Sequence, residues 1–180
     1  MSTSIARKVL GPVFLLLGLL SALPASANVI VSCTGTLDGA LDPGLTSVAA
    51  PQVGEVQASI VSSATCTLVG TTVQPARLEL SATVSSGSCT GFTLNPGSTN
   101  MTITWDDNST SAATFAPSNP LTFLLPGPLA GSFLITSGHA AGHTMVITGV
   151  PSISAALAAC LLPGAAPVRH LGFPISFVVI

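Results

Sequence analysis

The chain has 180 residues, of which 48% are hydrophobic and 6% are charged, and its formal net charge is −2. Proteins that bind nucleic acid need clustered Lys and Arg to neutralise phosphates, so this composition excludes that class of partner. High apolar content with low net charge is also the opposite of the signature of intrinsic disorder, and the length fits one folded domain.

The N-terminal segment has the three parts of a secretory signal peptide. Two basic residues at 7–8 precede an apolar run at 9–23, and "PASA" at 24–27 has small residues of the A-x-A type. Cleavage after Ala27 leaves 153 residues (180 − 27), and we assign 28–180 to a single domain. The apolar run is too short for a continuous membrane-spanning helix, and no later segment does better, so we expect no transmembrane segment in the mature chain.

A lipoprotein signal is the alternative interpretation of this segment. The sequence "IVSC" at 30–33 has the apolar and small residues that a lipobox places before its cysteine, here Cys33. Pro24 and Asn28 separate this motif from the apolar run, so we favour the cleaved secretory signal. The sequence therefore predicts a secreted, extracellular protein, and it leaves association with the cell envelope open.

Runs rich in Val, Ile, Thr and Phe alternate along the mature chain with clusters of Gly, Pro, Asn or Ser. This spacing of strands and turns is typical of a β-sandwich or a β-barrel. The predicted strands cover 29–35, 55–61, 64–69, 78–84, 101–105, 112–115, 121–125, 131–137, 143–149 and 173–180. Alternate residues of "LELSATV" and "MTITW" are apolar, which turns one face of each strand towards a core. For 152–162, between Pro151 and Pro163, the sequence predicts either one helix of about three turns or an irregular connection held by Cys160.

The sequence "TITWDDNSTSAATF" at 102–115 predicts a β-hairpin. Its "DDNS" segment consists of residue types that favour turns, and the apolar phase of the preceding strand places Trp105 in the core. Asp106 and Asp107 have a second interpretation, as an acid/base pair or as calcium ligands. Neighbouring side chains at a strand end point apart, and the D-x-[DN]-x-[DN]-G calcium loop is absent, so we favour the turn.

The C-terminal run "FPISFVVI" at 173–180 is predicted to be a core strand that closes the sandwich. Its apolar residues Phe173, Ile175, Phe177 and Val179 recur at every second position, so all four can face one core. Their burial would contribute on the order of 6–12 kcal/mol before the entropy of ordering the strand is subtracted. We therefore do not expect this run to be a dispensable tail.

The chain contains four cysteines, Cys33, Cys66, Cys89 and Cys160. An even number in a secreted chain, with no C-x-x-C pair and no nearby histidine, predicts two disulfides and no zinc site. Three pairings are possible. We favour Cys33–Cys66 with Cys89–Cys160, because pairing of sequence neighbours leaves the two loops unthreaded.

Two histidines, His139 and His143 in "GHAAGH", have the spacing of metal ligands on a helix. The glycines of this motif predict a loop instead, and no third ligand lies close in sequence. No G-x-S-x-G nucleophile motif is present, and Glu55 and Glu79 could act as glycosidase carboxylates only if the fold opposed them. We therefore assign no catalytic residue, no cofactor-binding residue, no metal ligand and no cofactor.

Six short motifs follow one another along the mature chain. They are "SCTGTLDG" (32–39), "SGSCTGF" (86–92), "TITWDDNSTS" (102–111), "GSFLIT" (131–136), "HTMVITG" (143–149) and "AACLLPG" (158–164). Their order resembles that of small secreted actinobacterial proteins of unknown function. The resemblance implies an immunoglobulin-like antiparallel β-sandwich and supplies no catalytic residues. Trp105 lies between Cys89 and Cys160, in partial agreement with the Cys…Trp…Cys order of antibody-type domains.

Two functions are compatible with this sequence. We predict a non-enzymatic secreted or cell-surface protein with a binding or structural role, because no catalytic set is visible and charges are scarce. Its ligand is not identified, and a protein or cell-envelope partner is compatible with this role. The alternative is a secreted hydrolase or metal-binding domain whose site assembles only in three dimensions. Its candidate residues are Asp106, Asp107, Glu79, His139 and His143.

Overall fold

The computed structural model describes residues 30–48, 54–117, 121–125, 127–150 and 155–180. The predicted signal peptide, 1–27, lies outside the described residues. The elements are β1 (Val31–Leu45), β2 (Gly54–Leu68), β3 (Pro75–Ser88), β4 (Gly91–Leu94), a 3-10 turn (Pro96–Ser98), β5 (Asn100–Trp105), β6 (Thr110–Phe115), β7 (Leu121–Leu124), β8 (Leu129–Ser137), β9 (Thr144–Gly149), α1 (Ala155–Cys160) and β10 (Val168–Val179).

Eight of these strands form a closed antiparallel barrel. Their order around the barrel is β1, β2, β3, β5, β6, β8, β9 and β10, and β10 then pairs with β1. Apart from the interruptions by β4 and β7, each barrel strand therefore pairs with its neighbours in sequence. The β2–β3 register runs from Gly54–Val84 to Val61–Arg77 and completes the ring.

This closure differs from the predicted immunoglobulin-like sandwich. A sandwich consists of two separate sheets packed face to face. The described strands belong instead to one sheet that curves back on itself. The prediction of an all-β chain with two disulfides agrees with the structure. The apolar alternation along a strand is the same in a sandwich and in a barrel, so this pattern did not distinguish them.

The predicted core strand at the C-terminus is confirmed as the inner part of β10. Phe173, Ile175, Phe177 and Val179 are each 4% exposed or less, whereas Ser176 between them is exposed. β10 begins at Val168, five residues before the predicted start. It pairs with β1 on one side and with β9 on the other, and so closes a barrel, not a sandwich.

Other predicted elements differ from the structure mainly in length. The two strands predicted at 55–61 and 64–69 are one continuous strand, β2, and β4 was not predicted. The predicted helix at 152–162 is reduced to α1 within the described residues. No helix in the described part of the chain is long and apolar enough to cross a membrane.

β4, β7 and α1 lie outside the ring, and together we call them the lid. β5 pairs with the first half of β3, and β4 pairs with its second half. β7 in turn pairs with β4. The disulfide Cys89–Cys160 joins the end of α1 to the turn between β3 and β4. The lid packs on the ends of β1, β3 and β10 through a separate apolar cluster, which we call the lid core.

The structure joins Cys33 to Cys66 and Cys89 to Cys160, the pairing favoured by sequence order. Cys33 and Cys66 are paired neighbours on β1 and β2, with their Cα atoms 4.4 Å apart. The sulfur of Cys33 is therefore used in a disulfide, which disagrees with its lipidation in the lipoprotein alternative. Cys33 belongs to the main apolar cluster inside the barrel, which we call the barrel core.

Candidate functional site

Asp106 and Asp107, the predicted turn residues, bond to different partners. Asp106 Oδ1 accepts a hydrogen bond from the backbone N–H of Gln74 at 3.3 Å. Asp107 Oδ1 accepts hydrogen bonds from the backbone N–H and the hydroxyl of Ser109, at 2.9 and 2.6 Å. Asn108 has a φ of 64°, in the left-handed region that turns use. The predicted hairpin between β5 and β6 is confirmed, and the side chains of its turn accept hydrogen bonds that stabilise the turn.

The turn between β8 and β9 brings His139 to Asp107. His139 Nε2 lies 3.3 Å from Asp107 Oδ2, and both side chains are more than 40% exposed. The hydrogen bonds from Ser109 are the main reason why the pKa of Asp107 is lowered, and His139 lowers this pKa by a smaller amount. In a Ser-His-Asp triad the imidazole lies between the hydroxyl and the carboxylate. Here the carboxylate occupies the middle position, so the imidazole does not activate the Ser109 hydroxyl.

The remaining residues of the alternative enzyme site do not converge. His139 and His143 lie in the predicted loop and not on a helix. Glu55 pairs with Thr83 in the β2–β3 register, so it is not opposite Glu79. No group of three or more His, Cys, Asp and Glu residues that could hold a metal occurs within the ranges described.

Trp105 closes the end of the barrel opposite the lid. Its Nε1 donates a hydrogen bond to Ser111 Oγ at 2.8 Å, and the Ser111 hydroxyl donates to the His139 carbonyl oxygen at 2.9 Å. The His139 ring packs edge-on against the indole, with 5.6 Å between ring centroids. Because Trp105 is 2% exposed, it is a core residue as predicted, and it offers no surface to a ligand.

A cavity of about 100 Å³ lies inside the barrel, between the barrel core and the lid core. Phe92, Leu94 and Phe123 line it on the lid side, and Phe115 and Phe133 line it on the barrel side. Every described residue that lines it is apolar or glycine. An eight-stranded barrel is wide enough either to be filled by side chains or to hold one small ligand. The cavity leaves room for the second case.

Three of the described residues that line this space are glycines. Gly39, Gly131 and Gly149 line the cavity at positions where the alternation of β1, β8 and β9 directs a side chain inwards. A Cβ at Gly131 would lie 3.3 Å from the Phe133 ring and 3.4 Å from the Phe115 ring. Sequence analysis missed this site, because an inward glycine is informative only when the closure of the barrel is known.

A groove on the outside of the barrel shares part of its wall with the cavity. Leu129, Ala130, Gly149 and Ile175 line both the cavity and this groove. β9 ends at Gly149, where it pairs with Ile175, whereas β10 starts at Val168. The first half of β10 therefore extends beyond the end of β9. The groove lies next to this end of β9.

The two candidate sites thus differ in their chemistry. The turn around Asp107 holds exposed polar groups that satisfy one another, whereas the cavity offers apolar space inside the barrel, next to an outer groove. The cavity is the better candidate, because ligand sites are concave and mostly apolar. No family model, curated protein or solved structure matches this chain.

Proposed function

We propose that this protein is a secreted, non-enzymatic binding protein that holds a small apolar ligand inside its barrel. The observation that carries the proposal is the apolar cavity of about 100 Å³ between the barrel core and the lid core. An engineered apolar cavity of about 150 Å³ stays dry and binds benzene or xenon. A cavity of similar chemistry and somewhat smaller size accepts a small aromatic ring or a short alkyl chain.

The other parts of the proposal rest on separate observations. Two disulfides are compatible with an oxidising compartment, and the predicted signal peptide at 1–27 supports secretion. A binding role is supported by the walls of the cavity, where the described side chains include no nucleophile, acid or base. Membership of the secreted actinobacterial proteins that the motifs resemble remains part of the proposal.

Binding of benzene to the secreted protein tests this function. A ligand that binds the folded state raises the melting temperature with its concentration. We expect such a rise for the wild type and its loss in Ile147→Phe, because Ile147 lines the cavity and a larger side chain there fills it. Val146→Phe is the matched control, since Val146 is the neighbouring residue on β9 and does not line the cavity.

Two results contradict the proposal. The first is the absence of benzene binding to the wild type, and the second is equal binding by Ile147→Phe and Val146→Phe. Overpacking costs about 1–3 kcal/mol, so if Ile147→Phe does not fold, Leu171→Phe on β10 fills the cavity from another wall. Turnover of any substrate on a broad hydrolase panel contradicts the non-enzymatic part.

A further inference from the structure

We propose that the natural ligand is an uncharged amphiphile, with its alkyl chain in the cavity and its hydroxylated head in the outer groove. This inference rests on the proposed function and adds to it the chemical class of the ligand. The cavity and the groove lie next to each other, since Leu129, Ala130, Gly149 and Ile175 line both. A molecule that occupies both spaces therefore needs an apolar part and a part that tolerates water.

The apolar part must lie in the cavity. Its described walls provide no hydroxyl, amide or charged side chain. A polar head placed there would lose its hydrogen bonds to water without gaining a side-chain partner, which is unfavourable. The alkyl chain gains from leaving water, so the molecule enters with the chain first.

The groove determines which head is accepted. It has a volume of about 630 Å³, and its polar side chains are the hydroxyls of Thr34, Thr36, Thr148 and Ser176. No Lys, Arg, His, Asp or Glu is among the described residues that line it. A carboxylate head would meet no cation and an ammonium head no carboxylate, whereas hydroxyl groups can both donate and accept hydrogen bonds. The groove therefore favours a neutral, hydroxylated head.

Gly149 marks the route between the two spaces. A Cβ at Gly149 would lie 2.8 Å from the Ile175 side chain and 2.9 Å from the Phe173 ring. These two side chains thus pack directly on the glycine backbone at the end of the β9–β10 pairing. In the proposed route the alkyl chain passes beside this last residue pair, where β9 ends and β10 continues towards Val168.

Three probes with the same eight-carbon chain test the inference on the secreted protein at neutral pH. They are 1-octanol, octanoate and octylammonium, and titration calorimetry measures the dissociation constant of each. We expect 1-octanol to bind at least about tenfold more tightly than either ion, because a charged head lacks an opposite charge in the groove. Octanoate or octylammonium binding as tightly as 1-octanol overturns the inference.

A cation introduced into the groove should reverse part of this selectivity. Thr36 is exposed in the groove, so Thr36→Lys should raise the affinity for octanoate relative to 1-octanol about fivefold and weaken octylammonium binding. Thr114→Lys, at an exposed position on β6 outside the groove, is the matched control and should leave the ratio unchanged. Equal ratios in the two variants contradict the inference. Should Thr36→Lys fail to fold, the comparison of the three probes on the wild type decides alone.

Failure of this inference is distinguishable from failure of the proposed function. If the wild type binds benzene but does not prefer 1-octanol, the cavity binds ligands and the assignment of the head is wrong. If the wild type does not bind benzene, the proposed function itself is wrong.

Discussion

Asp107 illustrates how a carboxylate beside a histidine can stabilise a turn without catalysing a reaction. Its oxygen accepts two hydrogen bonds from Ser109, and these bonds hold the pKa of Asp107 below the usual aspartate value. His139 adds a smaller contribution in the same direction. Because the carboxylate is exposed to water, its effect on the stability of the fold is small.

Removal of the Ser109 hydroxyl should raise the pKa of Asp107 towards its usual value, and His139→Ala should raise it less. A carboxyl group with a lowered folded-state pKa stabilises the fold above the unfolded pKa, and this stabilisation is lost as the pH falls through the folded pKa. Below about pH 3.9, wild type should therefore lose stability relative to Asp107→Asn. NMR titration of the carboxyl carbon measures the pKa, and melts at falling pH measure the stability. An unchanged Asp107 pKa in Ser109→Ala contradicts the assignment.

Single residues differ in how far the sequence predicts their role. Trp105 is in phase with Met101 and Ile103, and this local pattern was sufficient to place it in the core. Gly131 and Gly149 carry no such signal, because the absence of a side chain says nothing about the direction it would face. Their contribution to the cavity depends on strands that are distant in sequence.

Among the elements, β10 makes the closure of the barrel possible. It pairs with β1 over nearly its whole length and with β9 over its second half, and four of its inward residues belong to the barrel core. Its loss would leave two strand edges unpaired and would open the apolar interior to water. The strand therefore contributes backbone pairing as well as apolar burial.

Deletion of residues 173–180 should abolish cooperative thermal unfolding and secretion of folded protein. The expected loss of burial is on the order of 6–12 kcal/mol, comparable to the net stability of a whole domain. Ser176→Ala, on the exposed face of the same strand, is the control and should melt close to the wild type. A truncated chain that still melts cooperatively near the wild-type temperature, with both disulfides formed, contradicts the role assigned to β10.

Strand positions and the β5–β6 hairpin could be predicted from the sequence, but the lengths of several strands and the partners of strands distant in sequence could not. Runs rich in Val, Ile, Thr and Phe are a local property and located β5, β6, β8 and β9. The Ser- and Ala-rich stretch at 62–65 has no apolar alternation, so two strands were predicted there, although β2 pairs with β1 on both sides of this stretch and is continuous. Tertiary pairing overrides weak local preference in strands.

At the scale of the whole molecule, closure of the sheet decides both the fold and the site. The motifs that resemble sandwich-forming proteins contain no information on whether β10 returns to β1 or packs in a second sheet. The cavity lies inside the closed ring of strands, between the barrel core and the lid core. A sequence pattern that locates single strands therefore cannot reveal this site.

The two disulfides hold different parts of this arrangement. Cys33–Cys66 joins neighbouring barrel strands across 33 residues, and Cys89–Cys160 fastens the lid across 71 residues. The chain-entropy model assigns them similar stabilisation, about 3.7 and about 4.4 kcal/mol. A difference between the two in ligand binding must therefore come from their positions and not from total stability.

Replacement of Cys89 and Cys160 by alanine should release α1 from the turn between β3 and β4. This double variant should weaken benzene binding more than replacement of Cys33 and Cys66 by alanine. The lid core contains both Cys89 and Cys160, so its packing is affected directly, whereas the first bridge lies in the barrel core. Hydrogen exchange should show faster exchange in β4, β7 and α1 with β5, β6 and β8 still protected. The contrary result is equal weakening of benzene binding by both double variants, with hydrogen exchange increased evenly over all strands. It would show that the lid and the barrel unfold as one unit and that the lid does not control access to the cavity.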